Sequence, residues 1–387
     1  MRLKEFPCGE IQKRVERFQE KLCEKGLRGA VLTNDYNTYY FSGYRAHAPW
    51  TTFTRPIWLF VPASGTPVLF VQTFVLPEAV AKSVLCEVRG FGSLQGTPLD
   101  DVVSILEEIG MAKGPIGWEL SREQRIGIPV LELLGLREMI AQVDFVDVSD
   151  ILWDLRIIKS DFEVDCIRKA CSATSYALDT CFKSIHEGMT EQEIANMVYQ
   201  LMLKGGAERP GFVIIVSGRG NYERISGIAT DKKIARGDLV WIDAGAIFKG
   251  YWSDFCRAGV VGRPKADQIR YQGDVRKVTE EVIKKVRPGV DVSDLAKYCF
   301  EYLEKLGFSL SFDCGRLGHG MGLMSTEPPS VMISDHTILK PGMILNLEPG
   351  IVNEYGVFDV EENLLVTENG CEVLSGAERA LYEIVCN

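Results

Sequence analysis

Histidine is scarce in this sequence, with 4 in 387 residues, and no apolar run approaches the roughly 20 residues of a membrane span. A membrane-spanning helix is therefore not expected. The 11 cysteines are odd in number and are never spaced Cys-x-x-Cys. That argues against a zinc cluster or a disulfide framework. Cys166, Cys171 and Cys181 fall on apolar faces, the pattern of reduced, buried thiols in a cytosolic protein. An excess of positive charge is also missing: a net charge of −10 argues against a nucleic-acid partner. The segment Met1–Pro7 lacks the apolar core of a signal peptide, so the expected location is cytoplasmic. No short-period repeat and no low-complexity segment is present. What remains is 46% hydrophobic and 25% charged, an ordinary globular composition in a chain long enough for two cores.

Ile11, Val15, Phe18 and Leu22 recur at the spacing of one helical face and predict a helix over 10–26. A buried strand over 29–33 and a hairpin pairing 58–61 with 68–71 follow. A helix over 99–109, a strand over 116–119 and a helix over 121–136 complete the alternation of an α/β domain. The predicted boundary lies at 155–159, giving domains 1–155 and 156–387. Ser160 to Glu163 and Thr190 to Glu193 are capping boxes, each opening a helix. Strands come next, then helices over 267–286 and 292–306, the first of them stopped by Arg287-Pro288-Gly289.

The second domain carries two acidic hairpins. The first runs from Val240 to Asp254, and a turn symmetric about its midpoint sets Asp243 directly opposite Asp254. The second runs from Ile344 to Glu361, centred between Glu354 and Tyr355, and sets Glu348 opposite Glu361. Parity selects Glu361 over Glu362 as the inward residue. Opposed side chains in an antiparallel pair lie about 5 Å apart, where like charges repel, and two buried pairs would be costly. Divalent cations remove that cost, and two bridged ions sit about 3.5–4 Å apart. An exposed strand is the alternative for Asp243, yet Asp is disfavoured in strands and this one follows Val-Trp-Ile. A plain loop is the alternative for Glu348. His319 lies in Gly318-His319-Gly320-Met321-Gly322, where glycines admit close backbone approach. Alone it reads as a structural histidine; beside four carboxylates it reads as a ligand. His47, His186 and His336 lack ligand spacing and read as surface. Oxygen ligands with one imidazole suit manganese, iron, cobalt or zinc.

The set Asp243, Asp254, His319, Glu348 and Glu361, within Gly237–Gly245, Ser253-Asp254 with Arg257, Gly318–Gly322, Glu348-Pro349-Gly350 and Glu361 with Val366-Thr367, resembles the metal site of the pita-bread metallopeptidases. The branch it is similar to holds prolidase, aminopeptidase P and creatinase. The resemblance implies a creatinase-like α/β N-terminal domain, an α+β pita-bread catalytic domain and two divalent ions, manganese first. It implies that Asp243 chelates one ion, that Asp254 and Glu361 bridge both, and that His319 and Glu348 bind the second. Glu348 is then also the proton acceptor, and His319 joins it as a catalytic residue. A homodimer is implied, with the N-terminal domain of one subunit helping to close the partner's site.

Three positions depart from the family pattern. Ser226 and Thr326 stand where the family has histidines that bind substrate and move protons, and Asp359 stands where many relatives have arginine. A hydroxyl does not titrate near neutrality as an imidazole does. Ser226, Thr326, Arg257, Asp359 and Arg55 are the candidate substrate contacts, with Trp50 and Phe53 also shaping the pocket. Hydrolysis of an Xaa-Pro peptide by a dipeptidase or aminopeptidase is the leading expectation. The alternatives are a hydrolase or lyase of the same fold acting on a small osmolyte-like compound, and a non-catalytic binding protein.

Overall fold

The computed structural model describes residues 6–45, 56–308 and 315–386. Two compact units, Met1–Arg156 and Ile157–Asn387, make up the chain. The first contains α1 (Cys8–Glu24), β1 (Gly29–Leu32), α2 (Asp35–Ser42), β2 (Trp58–Pro62), β3 (Val68–Gln72), α3 (Leu76–Lys82), β4 (Glu87–Phe91), α4 (Leu99–Glu108), β5 (Ile116–Trp118), α5 (Val130–Met139), β6 (Phe145–Asp147) and α6 (Ser149–Arg156). Its six strands form one mixed sheet in the order β4-β3-β2-β1-β5-β6. Ile11, Val15, Phe18 and Leu22 are the buried stripe of α1. Val31, Trp58, Phe60, Val102, Leu106 and Trp118 pack together in the core. This is the creatinase-like α/β layer.

The helix expected over 121–136 is shorter and later. It starts at Val130, with Pro129 at its N-cap position. Proline has no N–H to continue a helix and pushes the residue before it out of the helical region. A Cβ at Gly127 would lie 1.9 Å from the Thr33 carbonyl oxygen, so this stretch runs hard against β1's end instead of coiling.

The second unit contains α7 (Asp161–Ser184), α8 (Glu191–Lys204), β7 (Arg209–Ser217), β8 (Leu239–Phe248), β9 (Tyr251–Trp252), β10 (Phe255–Val261), α9 (Ala266–Ile283), α10 (Val292–Lys305), β11 (Gly318–Gly320), β12 (Glu327–Ser330), β13 (Ile344–Leu347), β14 (Gly350–Asn353), β15 (Gly356–Asp359), β16 (Glu362–Val366), β17 (Cys371–Val373) and β18 (Tyr382–Ile384). Both capping boxes are formed: the Ser160 and Thr190 hydroxyls accept from the Glu163 and Glu193 amides, and each glutamate returns a bond to the cap backbone. Each such cap stabilises its helix by about 1 kcal/mol. One sheet runs β18-β10-β8-β7 with β9 beside β8; another runs β12-β11-β13-β16-β17; β14 and β15 form a separate pair. Valines and leucines of α9 and α10, among them Val275, Val282, Leu295 and Leu303, close one core with Leu239, Val260, Leu345, Phe358 and Leu364. That is the pita-bread layer, and its strands aim the acidic side chains.

The register of the first acidic hairpin differs from expectation. Asp243 pairs with Cys256, not Asp254. The turn residues are Lys249 and Gly250, at φ 49° and 82°, between the paired Phe248 and Tyr251. Two positive φ angles make the tight primed turn that suits strand twist, and they move the midpoint one residue along the chain. Asp243 and Asp254 still share a face, as diagonal neighbours. In the second hairpin Asn353 pairs with Gly356 around Glu354 and Tyr355. The outer strands keep the same register, with Leu347 opposite Glu362. Glu348 and Glu361 occupy the break between the inner and outer pairs.

Candidate metal centre

Asp243 projects from β8, Asp254 stands just ahead of β10, and Glu361 just ahead of β16. Ligand-capable oxygens of these three lie within 4.8 Å of one another. His319, on β11, points its Nε2 at the same cluster, 3.7 Å from Asp254 Oδ2 and 3.9 Å from Glu348 Oε2. The glycines flanking it are required by close strand approach. A Cβ at Gly318 would lie 2.1 Å from the Asn346 carbonyl oxygen, and one at Gly320 would lie 2.2 Å from that of Pro328. Glu348 follows β13 at the rim, its side chain 25% exposed.

The electrostatics record the crowding. Burial, then Glu348, carries Asp243 up to about 7. Burial, then Glu361, carries Glu348 up to about 8. Burial, then Asp243, carries Glu361 up to about 8. Asp254 is held well above the carboxylate range by burial and then Glu361. Burial, then the Arg316 charge, lowers His319 to about 4, so its imidazole is neutral. The His319 Nδ1 lies 2.9 Å from the Gly320 carbonyl oxygen. Donating there makes Nδ1–H the protonated nitrogen and leaves the Nε2 lone pair for the cluster. Asp243 Oδ1 is buried without a hydrogen-bond partner. Such a set fits divalent cations: an orphaned oxygen, carboxyls that hold protons at neutral pH for want of positive charge, and a neutral imidazole. Four ionised carboxylates balance two such ions.

The surrounding shell contains residues that sequence reasoning missed. Asn346 Nδ2 lies 2.5 Å from Glu361 Oε1 and 3.2 Å from His319 Nε2. Asn363 clamps the backbone of Asp254, accepting from its N–H at 3.0 Å and donating to its carbonyl at 2.5 Å. The available signal was the strand period of two: Asn346 precedes Glu348 by two, and Asn363 follows Glu361 by two. Arg316 places its Nε 3.6 Å from Glu348 Oε1; three residues ahead of His319, it carries no sequence mark of its own.

Arg257 is a correction. It is 1% exposed and donates to the carbonyls of Ala377, Cys256 and Glu361 and to the Glu362 carboxylate. It braces the strand carrying Glu361 and offers nothing to a substrate. Arg257→Met is expected to cost about 3–5 kcal/mol, because the buried Glu362 carboxylate keeps only Arg379 and the buried carbonyls of Cys256, Glu361 and Ala377 lose their side-chain donor. Urea unfolding measures this; a loss under ~1 kcal/mol would contradict the bracing role. Glu362 points to Arg257 and Arg379, away from the Asp243 cluster. Asp359 is buried beside Glu361, grouped with Cys256. Ser226 is exposed between β7 and β8, and Thr326 is half-buried ahead of β12. Neither is hydrogen-bonded to the carboxylate cluster. His186 and His336 are exposed. His47, Trp50, Phe53 and Arg55 lie outside the described residues.

Comparison with known proteins follows the same division. The profile of metallopeptidase family M24 matches residues 165–368, and that of the creatinase/prolidase N-terminal domain matches residues 14–158. An Xaa-Pro dipeptidase from Pyrococcus furiosus is 30% identical over 374 residues, covering 96% of this chain and 100% of its own. The solved prolidase from Pyrococcus furiosus superposes with a TM-score of 0.80 at 30% identity, over 93% of this chain and 99% of that one. The prolidase from Pyrococcus horikoshii OT3 gives 0.82 at 30% identity, over 95% and 99%.

Proposed function

This chain belongs to metallopeptidase family M24, and on that premise we propose that it is a dinuclear metallohydrolase cleaving Xaa-Pro dipeptides. The observation that carries the reading is the cluster of Asp243, Asp254 and Glu361, with a neutral His319 beside Asp254 and Glu348 at its rim. Asp243 would hold one ion, Asp254 and Glu361 would bridge to the other, and His319 and Glu348 would complete the second. When bound, such ions polarise a scissile carbonyl and make water a nucleophile near neutral pH.

The chain's own residues supply the rest. A Glu348 carboxylate oxygen takes the proton of the attacking water and returns it to the leaving proline nitrogen. Asn346 Nδ2 orients Glu361. The bond between His319 Nδ1 and Gly320 fixes the ring, as outer partners do for metal-bound histidines generally. Manganese suits the oxygen-rich set. A homodimer and a cytoplasmic setting complete the proposal. The ten described free cysteines, five of them buried, support a reducing compartment.

The test is a panel of Xaa-Pro dipeptides and longer peptides assayed for proline release with manganese, cobalt, zinc or iron. Release from dipeptides is expected. No release with any metal, together with turnover of a small non-peptide C–N compound, would overturn the substrate assignment. Ser226→His combined with Thr326→His is expected to raise kcat/KM roughly 10²-fold, the contribution of one well-placed acid–base group. An unchanged rate would mean that these positions lie outside the reaction.

A further inference from the structure

The acidic cluster does not end at the five residues above. Cys256 follows Asp254 by two on β10 and stands directly opposite Asp243. Asp359 precedes Glu361 by two at the end of β15. Cys256 therefore sits one strand repeat from Asp254, on the face it shares with Asp243, and Asp359 lies beside Glu361 at the turn between β15 and β16. Sulfur and carboxylate oxygens of Cys256, Asp359 and Glu361 lie within 4.8 Å of one another. Cys256 is 0% exposed and Asp359 6%, and Asp359 Oδ1 has no hydrogen-bond partner. The Cys256 Sγ lies 3.6 Å from the Asp359 carbonyl oxygen and also reaches the Glu361 carboxylate. A buried acid with an orphaned oxygen, next to a thiol and a shared glutamate, is a donor set short of a cation.

We propose that Cys256, Asp359 and Glu361 form a cation site of their own, adjoining the proposed dinuclear centre and selective for a thiophilic divalent ion such as zinc or cobalt. The inference rests on that centre, because Glu361 is common to both. Its selectivity comes from the thiolate: the first group offers oxygen and one imidazole, whereas sulfur prefers softer ions. On binding, the Cys256 thiol gives its proton to solvent, and the thiolate and two carboxylates face the ion.

The experiment titrates metal-free, full-length protein with cobalt(II). It follows near-ultraviolet thiolate-to-cobalt charge transfer together with the bound metal per chain. Wild type is expected to develop the band and to bind one ion more than Cys256→Ser, which loses the band. Asp359→Asn is expected to bind the extra ion at least tenfold more weakly and serves if Cys256→Ser does not fold. Cys171→Ser is expected to keep the band, since Cys171 bonds to Asn363 and not to this group. Equal metal content in wild type and variants with no band would overturn this site and leave the dinuclear centre standing. A band without an extra ion would assign Cys256 to the first group and also overturn the separate site. No cobalt binding at all would remove both.

Discussion

Stripped of divalent metal, the folded chain is expected to lose stability as pH rises from about 5 to about 8, and metal is expected to reverse that trend. In the metal-free protein Glu361 is raised from 4.5 to about 8 by burial and then Asp243, and Glu348 rises likewise to about 8. A carboxyl raised on folding binds more protons folded than unfolded, so stability falls with pH across that window. Its contribution is complete below the unfolded value and is lost as pH climbs through the folded one. Glu361, 3% exposed, accounts for a loss on the order of 5 kcal/mol at about 1.4 kcal/mol per pH unit. Cations compete with those protons, so they bind more tightly as pH rises, and they stabilise only the folded state. Calorimetric melting at pH 5 and pH 8, with chelator and with excess manganese, reads the effect. The gap in Tm between loaded and stripped protein should widen toward pH 8. A gap that stays constant or narrows would contradict a metal-dependent carboxylate cluster.

Glu348→Gln is expected to lower kcat by roughly 10²–10⁴ at saturating metal, the range for loss of a positioned acid–base group, with KM little changed. Glutamine keeps the shape and one oxygen but cannot accept the proton. The Glu348 side chain is 25% exposed, and it stands at the break between β13 and β14. The neighbouring Arg316, 3.6 Å away, favours its ionised form. Steady-state kinetics on an Xaa-Pro dipeptide, with metal content measured in parallel, separates loss of the proton acceptor from loss of an ion. Wild-type kcat in the variant would mean that another group accepts the proton.

The second hairpin was legible from its sequence because its turn is symmetric about Glu354 and Tyr355, and inner and outer strands keep that register. The first hairpin has its midpoint one residue further along the chain than a symmetric turn sets it. Nothing in a symmetric reading says that Lys249 will take a left-handed conformation, although Gly250 beside it was a clue. Asp243 and Asp254 stay on one face, because parity survives such a shift, but the partner of Asp243 becomes Cys256. The helix expected over 121–136 begins only at Val130, because Pro129 interrupts that stretch. Arg257 reads as a site residue because it belongs to the motif that holds Asp254. Its burial depends on carbonyls of 361 and 377, far along the chain, and no local pattern reveals them. Asn346 and Asn363 were hidden for the opposite reason: uncharged, they read as ordinary strand polarity, while their role is to hold ligands in place.

The most direct test is a calorimetric titration of metal-free protein with manganese near pH 7, repeated in buffers of different ionisation enthalpy. Two ions per chain should bind, with release of more than one proton per chain, since Glu348 and Glu361 hold protons until a cation displaces them. Absence of binding, or binding that releases no protons, would contradict the claim that these buried carboxyls are gathered to hold divalent metal.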